Sequence, residues 1–273
     1  MTHATRIAQT FAQLKTSGKM AFMPFLTAGD PDLDMTKKLL IDWGRRGVDL
    51  VEIGFPYSDP IADGAVIQAS YTRALAKKIT IDQIFAALTE LSGEKIPPLV
   101  GMVSYSLIFR YGTEKFISGA KRAGISGLIV PDFPGDEAGA FARQVQAAGL
   151  DAVQLVAPTT PAARVQKILQ SASGFLYCIS VAGTTGVRQE LPAELSQQLQ
   201  QLQTQTDLPL AVGFGISRPE QVAVLRGKAH GVIVGSAIIR QLESLADEPN
   251  RRDKAIAELG RFVDSMVAAT HQA

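Results

Sequence analysis

The chain has 273 residues, 46% of them hydrophobic and 19% charged, which is enough apolar material for one large α/β core. A formal net charge of +1, with no basic run beyond the pairs Lys37-Lys38, Lys77-Lys78 and Arg251-Arg252, points away from nucleic acid and from anionic membrane surfaces. No apolar run approaches bilayer length, the N-terminus lacks a signal-peptide core, and the lone Cys178 permits no internal disulfide, so a cytoplasmic protein is expected.

Ile7, Phe11 and Leu14 recur at helical spacing ahead of Gly18, which predicts a short amphipathic N-terminal helix suited to plugging one end of a barrel. Ala21–Thr27 reads as a buried strand, and Gly29-Asp30-Pro31 then reads as a turn, an N-cap and a proline at the first helical position. The helix that follows carries Met35, Leu39, Leu40 and Trp43 on one side and stops near Gly47. From there a phrase repeats: a glycine at a helix end, a short apolar strand, then a polar or glycine-rich loop. It occurs at 46–51, 123–130 and 148–153, and further strands fit Leu99–Met102, 175–179, Leu210–Gly213 and Gly231–Val234. Amphipathic helical segments fill 137–148, 162–172 and 192–203, with the Gln-rich run at 197–205 read as one exposed helix face. Eight apolar strands alternating with helices predict a parallel sheet covered on its outside, and at this length a closed (β/α)8 TIM barrel forming a single domain over 1–273.

The stretch 51–64 concentrates the chemistry. A short buried strand at 50–53 is interrupted by Glu52, and a carboxylate there must be paired, solvated by a pocket or kept protonated. Gly54, Pro56 and Pro60 then forbid regular structure and bring Asp59 and Asp63 back toward the strand end. In a barrel the loops after the strands build the site, and three late ones are glycine-rich: 182–186, 213–217 and 235–237. Glycines admit close backbone approach and helix N-termini favour anions, so these loops predict a phosphate cradle that needs no lysine or arginine. No expected strand carries a lysine for Schiff-base chemistry. The three histidines, His3, His230 and His271, lie at the termini or before strand eight, at the wrong end for metal or nucleophile work, and Cys178 reads as a core residue. General acid-base catalysis by Glu52 and Asp63 survives this elimination.

Residues 51–64 resemble the signature of the tryptophan synthase alpha chain family, and the resemblance runs the length of the chain. It includes Pro24-Phe25-Leu26-Thr27-Ala28-Gly29-Asp30-Pro31, Val130-Pro131-Asp132-Phe133-Pro134, Gly213-Phe214-Gly215-Ile216 and Val234-Gly235-Ser236-Ala237-Ile238. The resemblance implies a (β/α)8 barrel and reversible retro-aldol cleavage of indole-3-glycerol phosphate into indole and glyceraldehyde 3-phosphate. It implies Glu52 as general acid-base and Asp63 as acceptor of the indole N–H. Phe25, Tyr177 and Phe214 would line the indole slot, Gly186, Gly215, Gly235 and Ser236 would hold the phosphate, and Thr185 would help close a loop. No metal or cofactor is implied for this subunit. A beta chain carrying pyridoxal phosphate (PLP) is the implied partner in an α2β2 heterotetramer, with Asp59 facing it. Two departures, Ser106-Leu107 after the third strand where the family commonly has Asn-Pro, and Val181 where it often has arginine, bear on that coupling.

Each of these residues also has a structural reading. Glu52 would sit in a core hydrogen-bond network, Asp63 would cap the helix starting near Val66, Asp59 would organise its loop, Asp132 would do the same between its prolines, and Phe25, Tyr177 and Phe214 would be barrel packing. A stand-alone lyase releasing free indole, another phosphate-handling barrel isomerase, and a non-catalytic phosphate-binding allosteric partner remain open at this stage.

Overall fold

The computed structural model describes residues 4–60, 63–133, 138–179, 192–213, 215–246 and 252–272. In chain order the elements are α1 (Arg6–Thr16), β1 (Ala21–Thr27), α2 (Leu33–Arg46), β2 (Val51–Gly54), α3 (Ala65–Ala76), α4 (Ile81–Thr89), β3 (Leu99–Met102), α5 (Tyr105–Tyr111), α6 (Thr113–Arg122) and β4 (Ile125–Ile129). They continue with α7 (Ala138–Ala147), β5 (Asp151–Val156), α8 (Ala162–Ser171), β6 (Leu176–Ile179), α9 (Ala193–Gln205), β7 (Leu210–Gly213), α10 (Glu220–Ala223), β8 (Gly231–Val234), α11 (Ser236–Ala246) and α12 (Arg252–His271). The strands are all parallel and bond in sequence order, and β8 returns to β1, so the sheet closes into the expected (β/α)8 barrel.

The repeated glycine phrase has a backbone cause. Gly47, Gly124 and Gly149 all adopt left-handed φ, at 81°, 79° and 82°, a conformation that ends a helix and redirects the chain into the next strand without a Cβ penalty. The start of α2 differs from the sequence reading: Asp32, not Asp30, is the N-cap, its carboxylate accepting from the Met35 amide at 2.8 Å. Asp30 is buried and committed elsewhere, accepting 2.9 and 2.7 Å hydrogen bonds from Arg73 of α3. The strand β5 runs on to Val156, because Gln154, Leu155 and Val156 pair with Leu176, Tyr177 and Cys178. In α9 the glutamine face is exposed except at Gln198, which turns inward with Leu195, Leu199 and Leu202.

Alternation along each strand sorts side chains into two cores. Outward residues such as Phe22, Leu26, Val51 and Ile53 pack beneath the helices with Leu39, Leu40 and Trp43 of α2. Inward residues, among them Met23, Val100, Val153 and Tyr177, fill the barrel axis. Its amino end is closed by α1, as its spacing suggested: Ile7 inserts against Gly127, and Phe11 meets Phe175 at 5.6 Å between ring centres. With that end plugged, the open end of the axis lies at the carboxyl ends of the strands. No helix among the described residues is long and apolar enough to cross a membrane.

Candidate active site

Glu52 is the second residue of β2, in register between Phe25 of β1 and Val100 of β3. Its neighbours Val51 and Ile53 face the outer core, so the two-residue period turns Glu52 into the barrel. The side chain is 3% exposed, and its Oε1 has no hydrogen-bond partner among the described residues. That weighs against a structural network, in which a buried carboxylate would be satisfied. Burial, with the Asp63 carboxylate adding to it, pushes the Glu52 pKa up from 4.5 to about 8, so the group is largely protonated at neutral pH.

Asp63 closes the loop after β2. Its amide donates to the Pro60 carbonyl at 3.1 Å, and the Gln68 side-chain amide of α3 pins the carbonyls of Asp63 and Pro60 at 2.8 and 3.2 Å. The N-cap of α3 is Gly64, with no side-chain cap bond, so Asp63 does not serve as the helix cap that its position allowed. Burial pushes its pKa up from 3.8 to about 6, a less polar setting than a loop carboxylate suggests, yet one that leaves it mostly ionised at pH 7. A neutral acid and a charged one therefore open onto the same space.

That space is a cavity of about 540 Å³, within the range of small-molecule sites, lined by Phe25, Glu52, Asp63, Tyr177, Gly215, Gly235 and Ser236 together with apolar side chains such as Met102, Leu155, Ile179 and Ile233. Seven expected site residues thus meet, although they come from strands and loops spread over most of the chain. Thr185, Gly186, Phe214 and the Val181 departure lie outside the described residues. Asp59 does not line the cavity; it is exposed and accepts a 2.6 Å bond from Ser58. Asp132 organises its loop, accepting from the Ser104 hydroxyl at 2.6 Å and the Tyr105 amide at 2.8 Å, and so ties the Ser106-Leu107 segment of α5 to the loop after β4. Cys178 is buried, and burial pushes its thiol up to about 12. His230 accepts from the Leu210 amide at the amino end of β7, away from the cavity.

Tyr177 is placed by a glycine. A Cβ on Gly213 would stand 2.2 Å from the Tyr177 hydroxyl oxygen, so the ring occupies the room that a side chain on β7 would take. Burial, with Glu52 and Asp63 adding to it, holds this hydroxyl well above its ordinary value, which keeps it neutral. Gly213→Ala is therefore expected to push the ring into the cavity, raising KM roughly tenfold at a stability cost of about 1–3 kcal/mol, read by steady-state kinetics and thermal melting. An unchanged KM would mean the ring has room that the packing denies it.

At the neighbouring strand end, after β8, Gly235 accepts from the Ile238 and Ile239 amides at the start of α11, leaving the first amides of that helix without an intrahelical partner. The left-handed turn at Gly215 (φ 82°) is held by Gln221, whose side-chain amide donates to the Gly215 carbonyl at 3.1 Å and whose oxygen accepts from the Ser217 and Arg218 amides. Among the lining residues that the sequence did not point to is a cation, Arg240, four positions after Ser236 on α11. Counting one helical turn forward from the cradle would have found it.

A closed (β/α)8 barrel whose apolar cavity holds two carboxyl groups of opposite protonation state has the arrangement that general acid-base chemistry requires. The model of the family described as "Tryptophan synthase alpha chain" matches residues 11–270, and the chain belongs to that family. Curated relatives with that name include one from Prochlorococcus marinus (strain MIT 9313), 44% identical over 90% of this chain and 89% of its own length. Another, from Chloroflexus aggregans, is 41% identical over 98% of both chains. Among solved structures, the tryptophan synthase alpha subunit of Legionella pneumophila strain Paris superimposes with a TM-score of 0.88 at 35% identity, covering 98% of this chain and 99% of that one. The reaction of the alpha chain is a carbon-carbon lyase step: indole-3-glycerol phosphate is cleaved to indole and glyceraldehyde 3-phosphate, and indole passes to a beta chain.

Proposed function

We propose that in this chain the cleavage is carried by Glu52 and Asp63. Neutral Glu52 donates its proton to C3 of the indole ring, and the ionised Asp63 accepts the indole N–H and balances the positive charge of the indolenine-like intermediate. The Glu52 carboxylate then takes the proton from the side-chain hydroxyl next to the breaking bond. The C–C bond electrons return to the ring, the hydroxyl carbon becomes the aldehyde of glyceraldehyde 3-phosphate, and Glu52 ends protonated again. The observation that carries this reading is that both acids share one cavity while burial sets them on opposite sides of neutrality.

Phe25, Tyr177 and Phe214 form the apolar slot for the ring, and Gly215, Gly235 and Ser236, with Thr185 and Gly186, hold the phosphate. The whole chain, 1–273, acts as one domain in the cytoplasm. Its beta chain partner meets the face bearing Asp59 in an α2β2 heterotetramer, with pyridoxal phosphate in the beta chain and no cofactor in this one.

The test is release of indole from indole-3-glycerol phosphate by the purified chain, with and without a beta chain. Because Asp63 must be ionised and Glu52 protonated in the free enzyme, kcat/KM is expected to rise through about pH 6 and fall through about pH 8. A profile flat across that range, or no indole under either condition, would overturn the assignment. Release undiminished by the absence of a beta chain would mark a stand-alone lyase.

A further inference from the structure

We propose that Arg240 is the cation that anchors the phosphate of the substrate, completing with its side chain a cradle otherwise built from backbone amides; this rests on the lyase reading above and deepens it. Arg240 is the one cationic side chain among the described residues that line the cavity, whose two carboxyl groups are the largely neutral Glu52 and the ionised, negatively charged Asp63. A phosphate monoester carries close to two negative charges near neutrality, so it enters a space whose carboxylate repels it. The first turn of a helix offers only about half a positive charge, and a guanidinium adds a whole one in a fork that fits phosphate oxygens.

The helix directs that fork to the right place. Residues four apart lie on one face about 6 Å along the axis, and helical side chains lean toward the N-terminus, so Arg240 covers the turn that begins at Ser236. Nor is it committed within the chain. The acid three positions on, Glu243, turns instead to Arg73 at 3.2 Å, and no hydrogen bond or ion pair engages Arg240 among the described residues. It is exposed at the cavity rim, where a long side chain can meet an incoming anion before the ring seats.

The experiment compares wild type, Arg240→Gln and Arg240→Lys, each checked for folding by circular dichroism. Inorganic phosphate and glycerol 3-phosphate are titrated by calorimetry, independently of turnover, and cleavage kinetics are measured beside them. Arg240→Gln is expected to weaken both anions about ten- to a hundredfold and to raise KM for indole-3-glycerol phosphate by a similar factor, with kcat within about threefold and indole affinity unchanged. Arg240→Lys should recover most of the loss, since it restores charge without the fork, and the remaining dependence of kcat/KM on salt should be shallower in Arg240→Gln than in wild type. Anion affinity unchanged in Arg240→Gln would overturn the proposal, as would a loss confined to kcat or an equal loss of indole affinity. If wild type binds phosphate through Arg240 but does not cleave indole-3-glycerol phosphate, the lyase reading falls and the anion site stands.

Discussion

Glu52→Gln is expected to reduce cleavage of indole-3-glycerol phosphate about a thousandfold in kcat and, at the same time, to make the folded chain more stable at alkaline pH. The first effect follows from removing the group proposed to move the proton at C3; the amide keeps the shape and cannot donate and recover a proton. The second follows from linkage. The Glu52 carboxyl titrates at about 8 when folded against 4.5 ordinarily, so the folded chain binds a proton that the unfolded chain has lost across that window. Stability therefore declines as pH rises from about 4.5 to about 8, by an amount on the order of 5 kcal/mol in total for a group this buried. The glutamine variant has no such decline. Thermal melts of both proteins from pH 5 to pH 9 should diverge toward the alkaline end, by about 2 °C or more for each kcal/mol. Melting curves that keep a constant offset over that range would show that Glu52 is not held protonated by the fold, and retained turnover would remove it from the mechanism.

Asp63→Asn should lower kcat/KM about a hundredfold and change the shape of what activity remains. Its charge is one of the two causes that raise the Glu52 pKa, after burial itself. Removing it lets Glu52 ionise at lower pH, so the alkaline fall moves down from about 8, while the acid limb near 6 disappears because no group there must ionise. A pH profile of the variant superimposable on that of wild type would separate the two carboxyl groups and leave Asp63 without an electrostatic role.

How much of this was readable beforehand differs from element to element. The extents of β1, β3, β7 and β8 coincide with the apolar runs at those positions, because a strand covered on both faces writes itself as an unbroken hydrophobic segment. The plug at Ile7 and Phe11 was readable from helical spacing, and the left-handed glycines from their recurrence before strands. Glu52 stood out because a carboxylate inside such a run contradicts its surroundings. The N-cap of α2 was misplaced by two residues because Asp30 and Asp32 are equivalent as local signals; what separates them is Arg73, 43 residues away, which takes Asp30.

The strand-helix alternation, the closed barrel that it implies, and the positions of the two acids were set by local pattern, since side-chain period and backbone conformation depend on neighbours a few residues apart. Tertiary structure alone decided that burial leaves Glu52 protonated and Asp63 charged, that Tyr177 lies over Gly213, and that Arg240 opens onto a cavity whose carboxyl groups, at 52 and 63, stand far earlier in the chain. Solvation and charge act through space, and only closing the barrel brings those groups within range of one another.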